Sequence, residues 1–220
     1  MGLLIPWFLV FSIFWLYPLI YSFILSLGEY KSLTGEYTFL GFDNYIKVFN
    51  DDDFWNALLN TSIFTIGTVP ITAFLSLILA VLINNANSKI KGFLQGSYFL
   101  PSVTSLVVIS LIFTALYQQN GYINTILKLL NIPYPENGFL LSPSTALLSV
   151  MAMEIWISTG YYTLLFLAAL QTIPKELYES ATLMGANKRL IFSKVTLPLV
   201  KPTMLFVLVI NTIKSFQVFV

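Results

Sequence analysis

Five long apolar segments restrict the fold of this chain more than any other feature of its sequence. Because an α-helix rises about 1.5 Å per residue, roughly 20 apolar residues in a row cross a hydrocarbon core about 30 Å thick. The five segments have about this length or more, and the whole chain is 57% hydrophobic and only 10% charged. We therefore predict an all-α integral membrane protein, a polytopic helical bundle. Its predicted spans are residues 3–27, about 57–83, 93–117, 145–170 and 202–220.

Several residue types are missing, and their absence excludes whole classes of site. The 220 residues contain neither cysteine nor histidine, which removes disulfides, thiolate or imidazole metal ligands, and Ser-His or Cys-His nucleophile pairs. A net charge of +1 without a basic block gives no electrostatic basis for binding nucleic acid. The sequence also lacks a GxxxxGK[ST] phosphate loop. We therefore expect no metal and no cofactor on this chain, and hydrolysis of ATP would need a separate chain.

Basic residues concentrate in two of the connections between spans, which predicts the orientation in the membrane. The connections between spans two and three and between spans four and five, with their flanks, contain Lys89, Lys91, Lys175, Lys188, Arg189, Lys194 and Lys201. The connections on the other side, 28–56 and 118–144, contain only Lys31, Lys47 and Lys128. Because basic residues stay on the cytoplasmic side of a membrane, the N-terminus and the connection between spans four and five are predicted to be cytoplasmic.

The two predicted outer connections differ in character. Residues 28–56 are rich in turn residues and aromatic side chains, which predicts a solvated loop with interfacial anchors. Residues 121–130 carry apolar side chains at helical spacing, which predicts a short helix at the membrane interface.

The polar connection between spans four and five predicts two short helices, at about residues 174–197. Pro174 suits a first helical turn, and Glu176 follows it at the positive end of the helix dipole. Gly185 can adopt the positive φ that ends such a helix. A second helix is expected from about Asn187 until Pro198 stops it. The predicted result is a rigid, amphipathic elbow.

Nine residues of this connection carry a resemblance to a known family. They are Glu179, Ser180, Ala181, Gly185, Ala186, Asn187, Phe192, Leu197 and Pro198. In this order and spacing they resemble the EAA coupling motif of ABC importer permeases. Stretches such as GFDNY at 41–45 and GYIN at 121–124 resemble the sugar-importing subfamily, which includes the permeases for maltooligosaccharides and glycerol-phosphate. Two departures are Ser180, where the family usually has Ala, and Met184, where many members have Asp.

The resemblance implies a type I ABC importer permease, a membrane subunit without enzymatic activity that translocates a carbohydrate across the cytoplasmic membrane of a prokaryote. Its implied partners are a second permease subunit, two cytoplasmic ATPase subunits that hold ATP and Mg, and an extracytoplasmic solute-binding protein. The nine residues would dock on an ATPase, with Glu179 facing a basic group there. The family has a sixth span, so the chain is expected to be truncated at its C-terminus. The expected division is a first span with its outer loop at 1–56, and a transmembrane type-1 domain at 57–220.

Polar residues within spans four and five are candidates for the solute path. Glu154 and Lys214 fall near the predicted midplane, where charges are costly. They are compatible with an intramembrane ion pair, with a role in the solute path, and with exposure to water beyond the span ends. Further candidates for the path, with packing as the alternative, are Ser158, Tyr161, Asn211, Lys214 and Gln217.

Three other functions remain compatible with the sequence. One is an ABC permease for another solute, such as an amino acid or phosphate. Another is an intramembrane enzyme. Without histidine, such an enzyme would have to use a Ser-Lys pair, with Lys214 as the only intramembrane base, or the carboxylate of a glutamate. A structural or sensory membrane protein whose basic elbow binds lipid headgroups is the third.

Overall fold

The computed structural model describes residues 4–217, except for the side chain of Ser88. The chain divides into two compact units that meet between Leu59 and Asn60. The start of the first predicted span at Leu3 and the end of the last one at Val220 lie outside the described residues.

The first unit begins with a helical run that crosses a wide π-helical turn. Helix α1 (Ile5–Phe11) leads into a π turn (Ser12–Leu16) and then into α2 (Tyr17–Ser26). In the π turn, the N–H of Tyr17 donates to the carbonyl of Ser12, five residues earlier. Pro18 follows directly, and it can donate no hydrogen bond to the preceding turn. The apolar side chains of this run are exposed in the isolated chain, as expected of a span that faces lipid.

The predicted loop after this run contains regular secondary structure, so the prediction of a loop is wrong. Strands β1 (Gly28–Lys31) and β2 (Glu36–Phe39) form an antiparallel hairpin, and α3 (Asp43–Phe49) follows. The side-chain amide of Asn44 donates to the carbonyls of Ser26 at 3.1 Å and Gly28 at 2.9 Å. These bonds fasten α3 to the start of the hairpin, and the composition of the segment does not reveal them.

The long helix α4 (Asp52–Asn84) begins before the boundary and enters the second unit. It continues through Pro70, as predicted for a proline within a span. The remaining helices are α5 (Ser88–Val103), α6 (Leu106–Tyr117), α7 (Tyr122–Leu129), α8 (Pro143–Gln171), α9 (Lys175–Leu183), α10 (Lys188–Ile191) and α11 (Leu197–Phe216). Helix α7 confirms a short helix at 121–130.

The predicted third span is not one continuous helix. It breaks between α5 and α6, where Thr104 and Ser105 adopt extended backbone angles. Pro101 lies just before the break and cannot donate to the preceding turn. In the last turn of α5, the hydroxyl of Thr104 donates to the carbonyl of Leu100 at 2.8 Å. Hydroxyl groups that bond to backbone carbonyls in this way favour a bend in the helix.

Within the described residues, five helical stretches are long and apolar enough to cross a membrane. They are Ile5–Ser26, Asp52–Asn84, Leu106–Leu129, Pro143–Gln171 and Lys188–Phe216. The third of these includes the short interruption between α6 and α7. The predicted number of spans is therefore confirmed for this part of the chain, while the limits of the third and fifth spans are corrected.

The core of the second unit lies among α4, α8 and α11. Apolar side chains that recur at spacings of three and four on each helix face one another there. The buried members are Ala73, Leu77, Ala80, Ile83, Tyr162, Phe166, Leu167, Leu170, Ile173, Val200 and Val207. Hydroxyl groups join the same helices: Ser76 donates to the carbonyl of Thr159 at 3.0 Å, and the hydroxyls of Thr65 and Ser215 lie 2.8 Å apart. Such bonds between helices suit a membrane interior, where water does not compete.

Helices α5 and α8 approach each other closely at Gly160. A Cβ atom at this position would lie closer than 3.0 Å to the carbonyl oxygen of Tyr98. Only glycine allows the backbones to come this near, as small residues do at helix contacts in membranes. Gly160 therefore sets the distance between these two helices.

Candidate functional site

Helix α9 is the first part of the predicted elbow. It spans Lys175–Leu183, and Pro174 precedes it in an extended conformation. Glu176 lies in the first turn, where a negative charge stabilises the helix dipole. The predicted first coupling helix is therefore present, and it begins within one residue of its predicted start.

The end of α9 is closed by a Schellman motif. The N–H of Ala186 donates to the carbonyl of Ala181 at 3.0 Å, and the N–H of Gly185 donates to the carbonyl of Thr182 at 2.9 Å. Gly185 has a φ of +78°, the left-handed conformation that this motif requires. Ala181 is buried, while Gly185 is exposed. The spacing from Ala181 to Gly185 and Ala186 is therefore the spacing of one helix cap.

Asn187 begins the next helix. Its side-chain oxygen accepts a hydrogen bond from the backbone N–H of Leu190 at 2.9 Å, as an N-cap residue does. Between the two caps the chain turns in only four residues, 184–187. We call α9, these four residues and α10 the coupling unit.

Replacing Asn187 by alanine should raise the rate of amide hydrogen exchange in this turn. Loss of the cap costs about 1 kcal/mol, so amide protection in residues 188–191 should fall about fivefold. Hydrogen exchange read by mass spectrometry measures the change. Asn187→Ser supplies another capping hydroxyl and should exchange like the wild type; equal exchange in the alanine and serine variants would contradict the role of the cap.

Pro198 does not stop the second helix, contrary to prediction. Helix α10 passes into a π turn (Phe192–Thr196) and then into α11, so that helix continues from Lys188 to Phe216. In the π turn, the N–H of Leu197 donates to the carbonyl of Phe192, five residues earlier. A wide turn placed directly before a proline lets the helix continue past it. The second predicted coupling helix is thus the first part of the fifth span.

Three side chains fasten the coupling unit, the π turn after it and the start of α11 to the bundle. Tyr178, Phe192 and Leu197 all pack against the buried core cluster. The hydroxyl of Tyr178 also lies 3.4 Å from that of Thr196, which is buried in the π turn. Packing therefore holds the coupling unit through α9, and it also holds the π turn and the start of α11 that follow the unit.

The opposite surface of the coupling unit is exposed. Glu179, Ser180 and Asn187 are exposed there, as docking residues would be. Leu183 is 89% exposed and Met184 is 81% exposed, so two large apolar side chains project from the tip of the turn. Leu183 was missed as a candidate. Its position beside the glycine turn of a polar helix was the available signal, since exposed apolar groups often mark contact sites.

Glu154 and Lys214 do not form the predicted ion pair. Among residues 4–217, the carboxylate of Glu154 accepts a hydrogen bond from Ser158, one helical turn away on α8. Lys214 instead places its Nζ 5.0 Å from the ring centroid of Tyr161, a cation–π distance. Each charged group thus has another partner: Ser158 for Glu154, and Tyr161 for Lys214.

The other candidates on α11 do not share one environment. Asn211 is buried, whereas Lys214 and Gln217 are exposed. Asn211 lies on the face that also carries Val207 and Ser215, which is the face turned into the bundle. The structure therefore brings Ser158, Tyr161 and Lys214 together with Glu154, and it separates Asn211 from this polar group.

Three curated relatives match nearly the whole chain. The lactose transport system permease protein LacF of Rhizobium radiobacter is 36% identical over 208 residues, which cover 94% of this chain and 69% of the relative. The arabinooligosaccharides transport system permease protein AraP of Bacillus subtilis is 34% identical, with coverages of 97% and 67%. The trehalose/maltose transport system permease protein MalF of Thermococcus litoralis is 30% identical, with coverages of 99% and 73%.

Solved structures resemble the fold closely. One is the crystal structure of a bacterial ABC transporter involved in the import of the acidic polysaccharide alginate. A chain in it superposes with a TM-score of 0.85 at 26% identity, covering 99% of this chain and 73% of that chain. Another is the bacterial alginate ABC transporter in complex with alginate pentasaccharide-bound periplasmic protein, with a TM-score of 0.81, 27% identity and coverages of 96% and 69%. These matches confirm the predicted helical bundle of an ABC importer permease.

A family model agrees with the relatives and the structures. It matches residues 49–220, which include the coupling unit and all the helices from α4 onward. Together with the long apolar helices, this identifies a multi-pass membrane protein and confirms the family resemblance. The chain belongs to the family of the binding-protein-dependent transport system inner membrane component.

Proposed function

We propose that this chain is the permease subunit of an ATP-driven importer that moves a carbohydrate across the cytoplasmic membrane. The relatives named above are permeases of lactose, arabinooligosaccharide and trehalose/maltose transport systems. The solved neighbours belong to an alginate importer. This agreement among carbohydrate systems supports a sugar over an amino acid or phosphate.

The coupling unit carries the proposal. Its turn is closed by two caps, Tyr178 packs on the core, and the exposed residues include Glu179, Ser180 and the apolar tip. A short, stiff element of this kind can pass on the movement of a bound partner as a rigid-body shift of the spans. We infer that two ATPase subunits dock on this chain and on a second permease subunit, and that they hold ATP and Mg.

The distribution of basic residues supports a cytoplasmic position for the coupling unit. Lys91 follows the end of α4, while Lys175, Lys188 and Arg189 lie in and around the coupling unit. All four line one cavity, so the two basic connections lie at the same end of the bundle. Under the positive-inside rule that end is cytoplasmic, and the N-terminus is proposed to lie on the same side.

The polar group on α8 and α11 is the proposed part of the solute path. Tyr161 is 40% exposed, and Lys214 lies over its ring. Ser158 and Glu154 lie about one and two helical turns before Tyr161 on the same helix. Aromatic rings and directed hydrogen-bonding groups are what a hydroxyl-rich ligand needs. We infer that a sugar delivered by a solute-binding protein passes this group.

Transport by the assembled complex tests the proposed function. The full-length permease, its partner permease, the ATPase subunits and the binding protein are reconstituted in proteoliposomes. Uptake of labelled oligosaccharides is then measured with and without ATP, beside labelled amino acids and phosphate. We expect ATP-dependent uptake of a carbohydrate only, and uptake of an amino acid or phosphate instead would overturn the assignment.

Reversing the charge of Glu179 should uncouple the complex. Glu179→Lys places a positive charge on the exposed face of α9, opposite the basic group that we propose on the ATPase. Truncating or reversing one partner of such a pair costs several kcal/mol, so uptake should fall about tenfold or more. Uptake and ATP hydrolysis stimulated by the binding protein are measured together.

The same substitution on the other side of the membrane is the control. Glu136 is exposed in the connection between α7 and α8, and Glu136→Lys should leave both activities close to wild type. Membrane insertion of both variants is compared by surface labelling. Equal uptake by the Glu179 and Glu136 variants would rule out a docking role for Glu179.

A further inference from the structure

A cavity of about 1010 Å³ lies behind the coupling unit, at the end of the bundle. Its walls come from the end of α4, the start of α5, the end of α8 and the coupling unit itself. The residues of the polar group on α8 and α11 do not line the cavity, and neither do the exposed residues that we propose for docking.

The charges around this cavity all have one sign. Four basic side chains line it, and no aspartate or glutamate does: Lys91, Lys175, Lys188 and Arg189. Glu176 and Glu179 lie on α9 but are not among the lining residues. Across residues 4–217 none of the four cations has a carboxylate partner, and Lys91 contacts only the side-chain oxygen of Asn84, at 3.4 Å. An unneutralised cluster of this kind attracts an anion.

The remaining lining is suited to one kind of anion. Asn85 and Gln171 add side-chain amides that can donate to ester and hydroxyl oxygens. Leu170, Ile173 and Phe192 form an apolar wall beside them. Because α4 and α8 both end at this cavity, it lies at the depth where the ends of spans meet lipid headgroups. Basic pockets between spans on the cytoplasmic side suit anionic headgroups.

We propose that this cavity binds the phosphodiester headgroup of an anionic phospholipid, such as phosphatidylglycerol, from the inner leaflet. The phosphate lies among the four cations, the amides contact the glycerol, and the acyl chains leave along the apolar wall. The choice of leaflet rests on the proposed orientation of the coupling unit. A bound headgroup joins the start of α5 to the coupling unit, so it should also stiffen that unit.

Lipid retention by the purified full-length permease tests the proposal. The protein is reconstituted in nanodiscs with equal amounts of phosphatidylglycerol and phosphatidylcholine, extracted into mild detergent, and examined by native mass spectrometry. We expect the wild type to retain phosphatidylglycerol, and Lys188→Gln with Arg189→Gln to reduce its retention about tenfold. Thermal unfolding in phosphatidylcholine alone checks that the double variant folds like the wild type.

A matched control removes the same charge outside the cavity. Lys194 and Lys201 are exposed basic residues of the same region, and neither lines the cavity. Lys194→Gln with Lys201→Gln should therefore retain phosphatidylglycerol like the wild type. Equal loss in the two double variants would overturn the proposal, because general attraction to an anionic surface would then account for retention.

Two further measurements decide the source of the anion and the occupant of the cavity. If inorganic phosphate raises the melting temperature as much as phosphatidylglycerol does, the ligand is a soluble anion and the lipid assignment fails. If the permease retains the lipid alone but loses it when the ATPase binds, the cavity is part of the ATPase contact and the proposal also fails. Lipid retention does not depend on the transported solute, so a failed uptake experiment leaves this result unaffected.

Discussion

Replacing Gly160 by valine is expected to destabilise the second unit strongly. The new Cβ would lie closer than 3.0 Å to the carbonyl oxygen of Tyr98, an atom of the α5 backbone that cannot rotate away. Overpacking typically costs about 1–3 kcal/mol, and more where backbone must move. We expect a large loss of folded protein in the membrane and a melting temperature lowered by several degrees, measured by fluorescence size-exclusion chromatography after heating.

The control for this prediction lies on the facing helix. Gly96 belongs to α5, and a Cβ added there meets no atom within 4 Å. Gly96→Ala should therefore be neutral or slightly stabilising, since alanine favours helix by about 1 kcal/mol over glycine. If Gly160→Val and Gly96→Ala have the same stability, the close approach of α5 and α8 is not needed for the fold.

Replacing Gly185 by valine is expected to abolish uptake while the protein still inserts and folds. Gly185 has a φ of +78°, and nothing lies within 4 Å of an added Cβ, so the whole effect comes from backbone conformation. A left-handed conformation costs an L-residue about 1–2 kcal/mol, and a β-branched one more. The Schellman motif should then open, and the exposed residues of α9 should lose their position. Uptake and ATP hydrolysis by the reconstituted complex measure the result.

Asparagine at the same position separates conformation from side-chain size. Gly185→Asn adds a larger polar group, but asparagine accepts the left-handed conformation far better than valine does. It should keep most of the transport activity. A loss of uptake in Gly185→Asn as complete as that in Gly185→Val would show that the contact surface, not the turn, requires glycine.

The parts of the coupling unit that depend on local chemistry could be predicted from the sequence. The turn at Gly185 followed from residue type, because glycine readily takes the left-handed conformation that ends a helix. The start of the second helix near Asn187 also followed, whereas the capping bond of Asn187 was seen only in the structure. The assignment of the family also followed, because the motif has fixed offsets over about 20 residues. The role of these residues in docking stays a prediction, as does the division into domains at residue 56.

The predictions that the structure corrects concern two kinds of feature. Some depend on contacts between segments far apart in the sequence, and others depend on the local geometry of the backbone. Pro198 was expected to end a helix, but a wide turn before it relieves the conflict. Strand β1 (Gly28–Lys31) is fastened at Gly28 by Asn44, which lies 16 residues further along the chain. An ion pair between Glu154 and Lys214 was one of three alternatives, but Glu154 accepts a hydrogen bond from Ser158, and Lys214 lies over the ring of Tyr161. The packing of the helices decides which side chains contact each other, and the periodicity of the sequence does not predict that packing.

The π turn before Pro198 has a mechanical consequence. Because the helix does not stop there, the 29 residues from Lys188 to Phe216 form one continuous helix about 43 Å long. One end of this helix belongs to the coupling unit, and the other end carries Lys214. A tilt of about 10° would move one end by about 7 Å relative to the other. A change of tilt at the coupling unit is therefore passed along the helix to the region of Lys214, where the solute is proposed to pass.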